Sequence, residues 1–106
     1  MKHLFLCMAT ASALTFAGFA MAVDMPADGK SKCGACHAID HKLVGPSFMD
    51  ISKKYQGDKD EVNKIAANIT KGGEFGWKMN KMPPKGLGAT DAQIKSLSQF
   101  IAGLTK

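Results

Sequence analysis

Cys33-Gly34-Ala35-Cys36-His37 sets two thiols three residues apart, with an imidazole directly after the second. On a helical turn, residues i and i+3 share a face. Cys33 and Cys36 are thus spaced to add their thiols across two vinyl groups on neighbouring pyrroles, and His37 is carried under the ring with a nitrogen toward the iron. The pattern is that of covalent haem attachment, and the rest of the chain reads as scaffold for one haem. Three other readings use the same residues. A thioredoxin-like redox pair needs strands alternating with helices, and no such alternation is visible. A zinc site drawn from Cys33, Cys36, His37 and His41 would turn the adjacent Cys36 and His37 to one metal, and no second ligand pair follows at the usual distance. A structural disulfide is the third.

Upstream of the motif the first 22 residues have the layout of an export signal. Met1-Lys2-His3 is a short positive region, Leu4 to Phe19 is apolar, and Ala20-Met21-Ala22 fits an Ala-x-Ala cleavage site. The apolar stretch of about 16 residues is shorter than the roughly 20 a spanning helix needs, which argues against a permanent membrane anchor. Cys7 falls inside the segment and leaves with it. Residues 23–106 then form one mature domain of 84 residues, a size at which an apolar core alone supplies only about 3 to 5 kcal/mol. A buried prosthetic group would make up the difference. Both cysteines that remain belong to the attachment motif, and the implied compartment is a bacterial periplasm.

Downstream, the periodicity is helical throughout. Val23 to Lys32 reads as a short helix beginning at Asp24, with Pro26 in its first turn and Gly29 weakening it. Ala38 to Gly45 reads as loop. Gly45-Pro46-Ser47-Phe48 turns into a second short helix through Met49, Ile51 and Tyr55. The Pro46 carbonyl, free of a helix ladder, suits the far nitrogen of His37 as an acceptor; a plain turn proline is an equal reading. Asp58 and Glu61 form a capping box ahead of Val62, Ile65, Ala66 and Ile69, and this helix ends at Gly72-Gly73. Thr90 and Gln93 form a second box ahead of Ile94, Leu97, Ile101 and Leu104. No period-2 signal survives, so the fold class is all-α: about four short helices wrapped around one covalently bound haem.

Between the last two helices, Glu74 to Ala89 is rich in glycine and proline and long enough to demand a function. It contains Met79-Asn80-Lys81-Met82-Pro83-Pro84. A thioether is a soft ligand able to take the sixth iron position and raise the potential relative to a second histidine. Only Met82 is followed by two prolines, which stiffen the chain around its sulfur. Met25, Met49 and Met79 are read as core filler.

Taken in order, these pieces resemble a small class I cytochrome c of the bacterial c-551/c-552 (c8) type. The resemblance spans nearly all of residues 23–106. It rests on Cys33-Gly34-Ala35-Cys36-His37-Ala38-Ile39-Asp40, on Val44-Gly45-Pro46 with Pro46 nine residues past His37, on Gly76-Trp77 with Met82-Pro83-Pro84 five residues further, and on the closing helix. It implies haem c bound through Cys33 and Cys36, with His37 and Met82 as axial ligands. It also implies a Pro46 carbonyl bonded to His37 and a Trp77 indole N–H donated to a haem propionate. Two positions depart from the pattern. Ala27 and Asp28 stand where similar proteins place a large apolar residue against the last helix, and Asn68 stands where many relatives carry a propionate-binding Arg or Lys.

The implied function is a soluble, monomeric periplasmic carrier of single electrons in a respiratory or denitrification-type chain. Its donor would be of cytochrome bc1 type and its acceptor an oxidase, reductase or peroxidase. No acid, base or nucleophile constellation accompanies the iron, so no enzyme activity is expected. A haem sensor or small-ligand-binding protein with an open distal site is the alternative. A small peroxidase would want a distal His or Arg, and only His41 is available. All 14 basic residues are lysine; without Lys2, 13 face 9 acids, for a mature charge of +4 before haem propionates. Export and the lack of arginine argue against nucleic acid. The charge fits acidic redox partners docking on Lys30, Lys32, Lys78, Lys81 and Lys85.

Overall fold

The computed structural model describes residues 23–106; the export segment 1–22, with Cys7, lies outside the described residues. Four helices follow in order: α1 (Ala27–Lys32), α2 (Phe48–Tyr55), α3 (Glu61–Lys71) and α4 (Asp91–Gly103). Among the described residues there is no strand, only the isolated bridges His37 to Lys42 and Gly73 to Met82. The all-α expectation holds.

Helix α4 is the organising element. Thr90 Oγ1 accepts from the Gln93 amide at 3.2 Å while Gln93 Oε1 accepts from the Thr90 amide at 3.0 Å, so two otherwise unpaired donors at the helix start are satisfied reciprocally. From there Ile94, Leu97, Ile101 and Ala102 are buried and pack against α3, α2 and, more lightly, α1. Ile65 and Ile69 of α3 and Phe48 of α2 complete the core.

Helix α1 is shorter than the sequence predicts. It starts at Ala27, and Pro26 is its N-cap with φ −55 and ψ 154. A residue preceding proline is disfavoured in the helical region, so Met25 cannot extend the helix backward. The missing large apolar residue is replaced by close approach. Gly29 is buried, and a Cβ there would lie 2.7 Å from Met25 Cγ and 3.2 Å from Leu97 Cδ2. Gln93 Nε2 adds a bond to Asp28 Oδ1 at 3.1 Å, so α1 does reach α4.

The Asp58–Glu61 capping box does not form. Helix α3 begins at Glu61, its N-cap is Asp60, and no side chain caps it. Asp58 Oδ1 instead accepts from the Asp60 amide two residues on, at 2.9 Å, and its other oxygen takes Lys64 Nζ. Glu61, buried, turns to Lys106 beyond the end of α4. Opposite charge drew both carboxylates away from the cap. Helix α3 ends as expected, with Gly72 at φ 70.

Candidate haem site

The attachment motif continues directly from α1. The Cys33 amide donates to Gly29 O at 2.8 Å, and the Cys36 and His37 amides donate to Cys33 O at 3.1 and 2.9 Å. This turn keeps Cys33, Cys36 and His37 on one wall of a cleft of about 820 Å³, a volume that includes its open mouth. Burial holds the Cys33 thiol above its ordinary range, and the neighbouring Cys36 adds to the rise.

His37 is fixed on three sides. Its Nδ1 lies 2.7 Å from Pro46 O; a carbonyl can only accept, so Nδ1 carries the proton and donates. The Phe48 ring stacks on it with centroids 5.3 Å apart and planes 30° from parallel. Gly45 lies against the imidazole so closely that a Cβ would come within 2.6 Å of Cε1. Burial pushes the imidazole below its ordinary value, opposed in part by the Pro46 bond, so the neutral form that a metal requires is favoured. Nε2 has no hydrogen-bond partner among the described residues.

The opposite wall comes from the loop between α3 and α4. Met82 exchanges two backbone bonds with Gly73, each 2.9 Å. Gly72 permits this, since a Cβ there would stand 2.6 Å from Met82 O and 2.7 Å from Pro84 N. Pro46, Trp77 and Met82 all line the cleft together with the attachment residues. Met79 lines it too and is not among the side chains packed against the core, so its reading as core filler is corrected. Lys54 Nζ donates to Phe75 O at 2.7 Å and sits 4.7 Å from the Trp77 ring centroid, holding that loop to α2 at a residue with φ of 54.

His41 is elsewhere. It is exposed and bonded to Asp40 at 2.9 Å, and no cluster of three or more His, Cys, Asp or Glu residues able to hold a metal occurs among the described residues. The zinc reading therefore has no geometry behind it.

The donor set and the cavity fit a haem. Two thiols and an imidazole with a free nitrogen sit on one wall, two thioethers on the other, with apolar residues such as Phe48, Ile65 and Ile101 between them. Residues 25–105 match the family described as Cytochrome c. The chain belongs to the cytochrome c family. It is 41% identical over 105 residues to cytochrome c-552 of Nitrosomonas europaea, covering 98% of this chain and 99% of the relative. To cytochrome c-552 of Hydrogenobacter thermophilus it is 44% identical over 72 residues, covering 68% and 71%. The crystal structure of wild-type Nitrosomonas europaea cytochrome c552 superposes with a TM-score of 0.67 at 35% identity, covering 73% of this chain and 95% of that one. This cytochrome c is of the class I c-551/c-552 type, a haem c electron carrier whose haem is covalent through Cys33 and Cys36.

Sequence reasoning missed Phe48, Gly45, Tyr55 and Lys54 as parts of the site. Only Gly45 carried a signal, its place beside Pro46 in the family pattern.

Proposed function

We propose that His37, through Nε2, and Met82, through its thioether, are the two axial ligands of the haem. The observation that supports this most is the commitment of His37 Nδ1 to Pro46 O at 2.7 Å, which leaves Nε2 on the wall of the cleft that Met82 also lines. Haem supplies one-electron exchange between ferric and ferrous iron. Phe48, Gly45 and Pro46 hold the imidazole at one angle. The Gly73 bridge and Pro83-Pro84 favour Met82 over Met79, because they fix the backbone from which the sulfur hangs.

On this reading residues 1–22 are a signal peptide and residues 23–106 the mature domain, a periplasmic monomer carrying electrons in a respiratory or denitrification-type chain. Among the described residues no helix is long and apolar enough to cross a membrane. Its donor is of cytochrome bc1 type and its acceptor an oxidase, reductase or peroxidase. Acidic faces of these partners meet Lys30, Lys32, Lys78, Lys81 and Lys85. Steering of this kind weakens as the Debye length falls from about 30 Å at 0.01 M salt to about 10 Å at 0.1 M.

The test is ligation. Met82→Ala is expected to abolish the weak ferric absorption band of thioether ligation and to open the ferrous protein to carbon monoxide, while Met79→Ala does neither. The reverse pattern would transfer the ligand to Met79. Carbon monoxide binding to the parent protein would favour an open distal site.

A further inference from the structure

Residues 74–81 form one wall of the haem cleft, and Glu74, Phe75, Trp77, Met79, Asn80 and Lys81 all line it. Little in the backbone holds this wall in its shape. Between the paired bonds of Gly73 and Met82, the Trp77 amide, donating to Glu74 O at 3.2 Å, makes the one backbone hydrogen bond within the segment. The path is also an awkward one for its residues. Gly73, Phe75, Gly76 and Lys78 have φ of 135, 54, 77 and 55, and a left-handed φ is costly for a bulky side chain such as that of Phe75. A segment with strain inside it and a single internal bond sits at the low-stability end of a fold unless something outside ties it down.

Among the described residues one hydrogen bond joins 74–81 to the rest of the chain, from Lys54 Nζ to Phe75 O at 2.7 Å. It meets the segment at the strained residue itself. The same ammonium sits 4.7 Å from the centre of the Trp77 ring, so a single cation engages both a carbonyl and an aromatic face of the wall. Its base is firm. Lys54 lies in the last turn of α2, Phe48 and Ser52 of that helix are buried, and the adjacent Tyr55 Oη is bonded to Asn68 Nδ2 of α3 at 2.7 Å. We propose that Lys54 is a latch, a positioning residue on α2 that holds residues 74–81 closed against the cleft and so restricts the passage of small molecules to the iron. The latch rests on this geometry alone; the iron behind it rests on the haem-site reading above. Release of one exposed cation lets the wall swing while the paired bonds of Gly73 and Met82 stay made.

The test follows carbon monoxide to ferrous iron in the holoprotein by flash photolysis, on the Met82→Ala background that opens the distal position. Lys54→Met keeps the aliphatic stem and removes the ammonium. It is expected to raise the bimolecular binding rate about five- to tenfold, the scale of one exposed charge-assisted hydrogen bond with a cation–π contact. Lys54→Arg, able to donate to the same carbonyl and stack on the same ring, should restore the slower rate. Lys53→Met is the control, since it removes an equal charge from the same turn. In the otherwise parental holoprotein, trypsin nicking after Lys78 or Lys81 should accelerate by a similar factor in Lys54→Met, because cleavage of a transiently opened segment follows its open population. Nicking that is unchanged by Lys54→Met, or raised as much by Lys53→Met, overturns the latch. Faster nicking with an unchanged carbon monoxide rate overturns the screening of the iron. Failure of the ligand reading looks different: Met82→Ala would then keep its thioether band and refuse carbon monoxide, and the trypsin comparison, which needs no open iron, still decides the latch.

Discussion

Replacing Gly45 by alanine should loosen the grip on His37, and the structure gives the size of the effect. The added methyl would stand 2.6 Å from Cε1, 3.1 Å from Nδ1 and 3.2 Å from Nε2 of the ring, where ordinary contact begins at 3.4 Å. Neither side yields easily. The Gly45 backbone is pinned by its amide to Cys36 O at 2.8 Å and by its carbonyl, which accepts from the Leu43 amide at 3.0 Å. The ring is backed by Phe48 and tied to Pro46 O. Relief of about 0.8 Å must come from turning the imidazole, which strains the packing by about 1 to 3 kcal/mol and gives up a hydrogen bond of about 1 kcal/mol. The sum, about 2 to 4 kcal/mol, corresponds to a Tm lower by about 10 to 30 °C for a domain of this size, at about 4 to 8 °C per kcal/mol. Far-ultraviolet circular dichroism melts of the holoprotein measure it. Gly103→Ala is the control, since a Cβ there meets nothing within 4 Å. A Gly45→Ala protein melting within about 2 °C of the parent, well inside that range, would show that the imidazole is not wedged as described.

Two further outcomes follow from the core and the surface. Leu97→Ala, at a fully buried position facing α1 from α4, is expected to lose about 3 to 5 kcal/mol in urea unfolding; a loss under about 1 kcal/mol would mean that α4 is not the centre of the core. Lys64, first, and the Asp60 amide hold the Asp58 carboxyl below its ordinary value. Its contribution is therefore present above its unfolded pKa of about 3.9 and lost as pH falls through the folded value, so the stability gap between the parent and Asp58→Asn should close in acid, and a gap that is constant with pH would exclude this origin.

What could be read from the sequence was what is local in the chain. Cys33 to His37 is one turn, and Thr90 with Gln93 closes its box within three residues, so spacing alone located both. Asp58 with Glu61 has the same spacing and fails, because Lys64 and Lys106 compete for the two carboxylates, and the second of those lies 45 residues away. Pro46 was half-legible: its free carbonyl suited His37, a plain turn proline read equally well, and only its place nine residues past His37 in the family pattern singled it out. Phe48 against His37, Lys54 over Trp77 and Tyr55 with Asn68 were not, since each joins separate elements and no periodicity marks them. Met79 was misread for the opposite reason: a methionine looks the same in sequence whether it fills a core or faces a cavity.

The pair of backbone hydrogen bonds between Gly73 and Met82 closes residues 74–81 into a loop sealed at its neck. The position of the Met82 sulfur is thus set by the neck and by Pro83-Pro84, not by the path of the eight residues between. Because closure entropy grows only by about 0.6 kcal/mol for each doubling of length, insertions and deletions in this loop are tolerable so long as they spare the neck and the Trp77 anchor. The segment can therefore change length, and with it the face presented at the mouth of the cleft, while the backbone that carries Met82 stays where the neck holds it.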